Sequence, residues 1–147
     1  MTHRFIAGFA FLAMAGAAFA QNTPVGKWHT IDDKTKEIKS EITISEASGM
    51  ITGRVSKVLR KDAKPDAKCD ECTDARKGQP IVGLEIIRGG KKEDGADVWG
   101  GGKILDPENG KEYSFKLTPQ EGGKQLLVRG FIGSPMFGRS QTWVRVQ

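Results

Sequence analysis

Gln21-Asn22-Thr23-Pro24-Val25-Gly26-Lys27-Trp28 stands near one end of the chain and Thr142-Trp143-Val144-Arg145-Val146-Gln147 at the other. If the first and last segments are strands of one sheet, closing that sheet brings a Gly-x-Trp against a Trp-x-Arg. The pairing points to a barrel and names no ligand. Whether a barrel is available depends on what lies between them.

Inward from both ends the chain breaks into short segments separated by turn chemistry. No window is long and periodic enough for an amphipathic helix. In Ile38-Lys39-Ser40-Glu41-Ile42-Thr43-Ile44-Ser45 the residues alternate, which puts Ile38, Ile42 and Ile44 on one face and Lys39, Glu41 and Thr43 on the other. Ala47-Ser48-Gly49 turns the chain. Ile51, Gly53, Val55 and Leu59 then oppose Thr52, Arg54 and Ser56, so residues 38–60 read as a hairpin. Further on, Ile81 to Ile87 is strand-like, Gly89 and Gly90 open a turn, and Val98 to Leu105 gives the next strand. Asp106-Pro107-Glu108-Asn109-Gly110 has the residues of a tight reversal. Lys111 to Leu117 places Tyr113, Phe115 and Leu117 on one side, Glu121-Gly122-Gly123 turns again, and Gln125 to Ile132 and Ser140 to Val146 complete the set. With Val25 to Ile31 first, this predicts an all-β fold, a single antiparallel up-and-down β-barrel of about eight strands.

Gly100-Gly101-Gly102 falls inside one predicted strand, where three glycines weaken pairing. A bend at a barrel corner is the first reading, and close approach by a ligand or another strand is the second. A phosphate cradle would need a helix to follow, and none is predicted.

Residues 1–20 carry Arg4, an apolar run from Phe5 to Phe19, and Ala18-Phe19-Ala20 before Gln21. This is the signature of a cleaved export signal, with the mature domain spanning residues 21–147. The apolar run is about 15 residues and a spanning helix needs about 20, so a retained anchor is disfavoured. The expected location is the periplasm or the secreted fraction, with no transmembrane segment in the mature chain. Of 147 residues, 23 are Lys or Arg and 18 are Asp or Glu, a formal net charge of +5. The excess is mild and interspersed, and no aromatic stacking series accompanies it, which argues against a nucleic-acid partner.

Several stretches together resemble the bacterial family known as domain of unknown function 2147. They are Gly26-Lys27-Trp28 with Asp32-Asp33, Ile51-Thr52-Gly53-Arg54-Val55, Cys69-Asp70-Glu71-Cys72, Pro80-Ile81-Val82-Gly83-Leu84, Ile104-Leu105-Asp106-Pro107 with Gly110-Lys111, Val128-Arg129-Gly130-Phe131-Ile132-Gly133, and Gly138-Arg139-Ser140-Gln141-Thr142-Trp143. Ser140 departs from the Thr expected there. The resemblance implies an exported protein of this size and carries no biochemical activity. A more distant similarity is to the calycins, the lipocalin and fatty-acid-binding barrels, in which a Gly-x-Trp on the first strand packs against an Arg near the chain end. That similarity implies a structural latch of Gly26 and Trp28 with Trp143 and Arg145, Arg139 being a second candidate partner for the Trp28 ring.

Cys69 and Cys72 are the only cysteines. In an exported chain a disulfide is the default, and it closes so short a loop that it pins a segment without holding the fold. A redox-active pair needs a lowered thiol pKa, but the flanking residues are mostly acidic. Zinc needs four ligands, and beyond the leader the only histidine is His29. No metal or other cofactor is therefore expected. The charged stretch from Arg60 to Gly78 is long for a hairpin connection. It reads first as a solvated surface loop and second as a lid over the barrel mouth. His29, Asp32-Asp33 and Asp106/Glu108 offer no arrangement that specifies a reaction, and acids in turns usually serve backbone hydrogen bonds. An enzyme is not expected, and no catalytic residue is assigned.

The fold-level analogy favours a carrier or sensor of a small apolar or amphipathic ligand. Candidate lining residues are Trp99, Tyr113, Phe115, Val128 and Arg129, the last as a partner for a carboxylate. The rival readings are an envelope interaction module and a thiol redox protein.

Overall fold

A computed structural model of the chain describes residues 22–147. The expected signal peptide lies outside the described residues. Eight strands follow one another: β1 (Gly26–Ile31), β2 (Ile38–Ala47), β3 (Met50–Val58), β4 (Glu85–Lys92), β5 (Trp99–Asp106), β6 (Lys111–Gln120), β7 (Gln125–Phe131) and β8 (Gly138–Arg145). Each pairs antiparallel with the next, and β8 returns to β1, closing an up-and-down barrel. A single turn of 3₁₀ helix, Glu121–Gly123, links β6 to β7. No helix among the described residues is long and apolar enough to cross a membrane.

Three local expectations are corrected. Residues 81–84 are not strand: β4 starts at Glu85, because Pro80 and Gly83 bracket a turn. In that turn Gly83 donates to the Val55 carbonyl and Val55 donates back to Leu84, at 2.7 and 3.0 Å. Gly89 and Gly90 do not open a turn but lie inside β4, and the reversal comes at residues 93–98, where Glu93 donates to Val98 O. Glu41, assigned to the solvent face, is only 4% exposed. A register shift follows it, and His29, Ser56 and Lys57 cover its carboxylate on the outer surface.

The glycine triplet combines both readings given to it. Pairing of β5 with β6 shifts register between Gly100 and Lys103, and a Cβ on Gly102 would collide with the backbone of Arg88 and Gly89 on β4. The close neighbour is a strand, and only glycine lets the two backbones approach.

The core runs along the barrel axis but is not uniform. One end, where the 48–49, 93–98 and 121–124 turns meet residues 22–25, is filled by Trp28, Ile44, Ile51, Phe115, Leu117 and Leu126, each 1% exposed or less. The other end is framed by the 32–37, 59–84, 107–110 and 132–137 connections and is hollow.

Candidate functional site

The filled end is closed by the first and last strands. Arg145 lies over the Trp28 ring, 4.2 Å from its centroid. Its guanidinium donates to the carbonyls of Thr23, Val25 and Gly123 at 2.6, 2.8 and 2.6 Å, and the Trp28 indole N–H donates to Pro24 O at 2.7 Å. Burial lowers the Arg145 pKa, a desolvation cost offset by three charge-assisted hydrogen bonds and the ring face. Gly26 has φ +132° and a Cβ there would strike the Arg145 guanidinium, so the glycine is required by the cation above it. Arg139 is not part of this arrangement. It lies at the opposite end of β8, paired with Asp33. Trp143 is buried, but two residues from Arg145 along β8 it faces the cavity and takes no part in the stack.

The hollow end holds a cavity of about 700 Å³. Its inner wall is apolar: Ile42, Val55, Ile86, Leu105, Val128 and Trp143. These are inward positions of strands whose period of two sends alternate residues to solvent. The polar atoms inside are few. Thr30 and Ser40 hydroxyls bond each other at 2.8 Å, and the Tyr113 hydroxyl accepts from Asn109 at 3.2 Å. No buried side-chain N or O among the described residues lacks a hydrogen-bond partner, so an apolar guest would meet a wall already satisfied.

Charged side chains form the rim, and Lys39, Arg60, Glu108 and Arg139 are ion-paired there. Glu108 takes Arg60 and, at 3.2 Å, Lys39, joining the 107–110 turn to β2 and to the start of the long connection. Across the β1–β8 seam Asp33 accepts from Arg139 and, at 3.4 Å, from Gln141. The seam needs that clasp because β1 and β8 pair only at Trp28↔Arg145 and His29↔Val144, beside the filled end. The Arg139 hydrogen bond holds the Asp33 carboxyl below its usual range. Asp32 accepts backbone N–H groups of Lys34 and Thr35, both at 2.9 Å, and those bonds lower its pKa; Asp106 does the same service for Glu108.

The 59–84 connection is not a free solvated loop, because part of it lines the cavity. Ala63, Ala67 and Ile81 belong to the cavity wall, and the segment folds back on itself through a Lys68↔Pro80 bridge. Cys69 and Cys72 form a disulfide, with Cα atoms 5.4 Å apart and both residues buried. Beside it Arg76, 3% exposed, pairs with Asp74 at 2.6 Å and Glu112 at 3.1 Å and donates to Glu85 O at 2.9 Å. The Arg76 side chain holds the Asp74 carboxyl down to about 2. Disulfide and arginine together pin the segment to β4 and β6.

Of the predicted lining residues, Tyr113 and Val128 face the cavity. Phe115 and Trp99 do not: both point inward but belong to the filled half, Trp99 pairing in register with Leu117 and lying under Lys92. Arg129 is on the outer face, because it follows the inward Val128 on β7, and it bonds Pro135 O at 2.7 Å and Ser140 at 2.9 Å. The cavity residues missed from sequence, Thr30, Ser40, Ile86 and Trp143 among them, had one signal: inward positions on the mouthward half of each strand. No group of three or more His, Cys, Asp or Glu among the described residues could hold a metal ion, and His29 lies outside the barrel with its nearest acid, Glu41, at 3.9 Å.

Comparisons place this architecture among known proteins. A family model described as an uncharacterized protein conserved in bacteria (DUF2147) matches residues 26–145. A solved structure, protein HP1028 from the human pathogen Helicobacter pylori, described as belonging to the lipocalin family, aligns with a TM-score of 0.71. The alignment covers 84% of this chain and 82% of that one at 17% identity, a likeness of fold. No curated protein matches the sequence.

Proposed function

The chain belongs to the bacterial DUF2147 family, and from that footing we propose that its lipocalin-like barrel binds a small apolar or amphipathic molecule at the mouth end. The single observation that carries the reading is the cavity of about 700 Å³, within the size range of small-molecule sites, with an apolar wall and a polar rim in which Glu108 and Arg139 are ion-paired. A guest with an apolar body meets Ile42, Val55, Leu105 and Val128, while its polar end remains at the rim beside Arg60 and Glu108. Export to the periplasm, inferred from residues 1–20, sets the compartment in which it acts. Binding without chemistry fits the absence of a sequence-specified reaction. A thiol redox role would require an accessible sulfur, whereas Cys69 and Cys72 are 0% and 1% exposed.

The test uses a neutral naphthylamine probe whose fluorescence rises in an apolar site. Gly130 lines the cavity, and a Cβ added there meets only Tyr113, at an ordinary 3.6 Å. Gly130→Leu should therefore fill the cavity without disturbing the barrel and weaken the probe about tenfold or more, the order expected for losing a few buried methylenes. Native mass spectrometry of protein gently isolated from its own cells should show an added small mass. A bare mass together with a probe that ignores Gly130→Leu would sink the reading.

A further inference from the structure

Of the eight exposed large apolar residues among those described, Met50 and Val144 lie toward the filled end and the other six do not. Ile38, Leu59, Val82, Ile132, Met136 and Phe137 lie around the mouth, and the most exposed are in the β7–β8 connection: Ile132 at 67%, Met136 at 82% and Phe137 at 78%. The tip is held in this shape. Phe137 N–H donates to Ser134 O at 3.0 Å, Met136 N–H to the Ser134 hydroxyl at 3.3 Å, and Arg129 grips Pro135 O from below. A preformed turn that presents Met and Phe to water gains nothing for the fold.

Charge at the mouth is mixed, with Asp33, Asp62, Asp106 and Glu108 beside Lys39, Arg60 and Arg139, and the cation that stands apart is Arg129, directly behind the tip. Arg145 is buried in the latch and Arg139 is paired with Asp33, but no carboxylate among the described residues lies within ion-pair distance of Arg129. A convex apolar tip with an unneutralised guanidinium at its base is what the headgroup layer of a bilayer accepts: methionine and phenylalanine enter the acyl boundary and the cation meets phosphate. A carboxylate-bearing protein partner would be expected to meet a flatter patch with a polar rim.

We propose that the β7–β8 tip, Ile132 to Phe137 with Arg129 behind it, docks the barrel on a phospholipid surface and sets the cavity mouth against it. Ile132 and Phe137 also line the cavity, so the docking shares residues with the proposed binding site, and Met136 belongs to the tip alone.

Protein beginning at Gln21, which contains all eight strands, is mixed with vesicles of phosphatidylethanolamine and phosphatidylglycerol and floated on a density gradient. The wild-type barrel should float. Met136→Ser/Phe137→Ser should cut partitioning about tenfold or more, because two large apolar side chains no longer leave water, with thermal unfolding unchanged. Arg129→Gln should weaken binding to phosphatidylglycerol vesicles more than to phosphatidylcholine vesicles. In Phe137→Trp the new indole should be quenched by brominated acyl chains, which reads insertion even if the double serine variant folds poorly. The proposal is overturned if the wild type stays at the bottom of the gradient, if the double serine variant floats equally well, or if the Phe137→Trp indole is not quenched. It is overturned equally if sedimentation shows a concentration-dependent dimer that the serines abolish while vesicles are ignored, which would give the tip to a second copy.

Discussion

At one end of the barrel Trp28, Phe115, Leu117 and Leu126 are fully buried and Arg145 is tied to three carbonyls; at the other, Ile42, Val55, Val128 and Trp143 line a void with ion pairs on its rim. Both ends use the same strands and the same alternation. The difference lies in side-chain volume and in the connections. Short turns and residues 22–25 cover the filled end, whereas the hollow one is framed by one long connection, residues 59–84, and three short ones. Stability and binding are thereby separated along the barrel axis: the latch end can be rigid because nothing enters there, and the mouth can stay open because the latch holds the sheet closed.

That separation can be broken by experiment. Trp28→Ala should cost the most, about 3–5 kcal/mol in urea unfolding, since it empties a fully buried site and removes the surface under Arg145. If it cost less than Gly130→Leu, the two ends would not differ as described. Arg145→Lys should cost about 1–3 kcal/mol, because an ammonium cannot reach three carbonyls and lie flat on the ring at once. Removing the disulfide as Cys69→Ala/Cys72→Ala should cost about 2 kcal/mol by loop entropy. Circular dichroism should keep the strand signal, and the loss should appear as faster amide exchange in residues 59–84.

The smallest effect is a pH dependence confined to the mouth. Asp74 sits at about 2 in the fold against an ordinary 3.8, lowered first by the Arg76 side-chain hydrogen bond. Because the folded value is the lower one, its contribution is complete above about pH 4 and fades as pH falls through about 2. Asp74→Asn should flatten that part of an acid-unfolding curve while the transition of the same variant in urea at neutral pH keeps its slope. An unchanged acid limb would mean that Arg76 is held by Glu112 and Glu85 alone.

The barrel was legible because its turns announce themselves. Asp106 to Gly110 and Glu121 to Gly123 fall where the sequence puts them, and a regular series of antiparallel strands closing on Trp28 and Arg145 leaves few other arrangements. Misplaced elements had local causes. Ile81 to Leu84 has strand composition, but its hydrogen bonds go to Val55 and within the turn. Gly89-Gly90 reads as a turn, yet it is where β4 must pass close to its neighbours. The candidate site was read only partly. Tyr113 and Val128 were found by alternation; Phe115 and Trp99 share their face and differ only in height along the axis.

By itself the sequence determined strand order, most of the face alternation and the Cys69–Cys72 pairing, because these follow from local periodicity, turn chemistry or a single available partner, whereas the Trp28–Arg145 contact was implied by the calycin resemblance with Arg139 as a second candidate. Only the tertiary structure decided how deep the filling extends, that Arg139 stands at the cavity mouth and not in the latch, that Arg129 is on the outer face, and that part of the 59–84 connection lines the cavity. Those depend on register and on the height of each residue in a closed sheet, which strands acquire only from their neighbours.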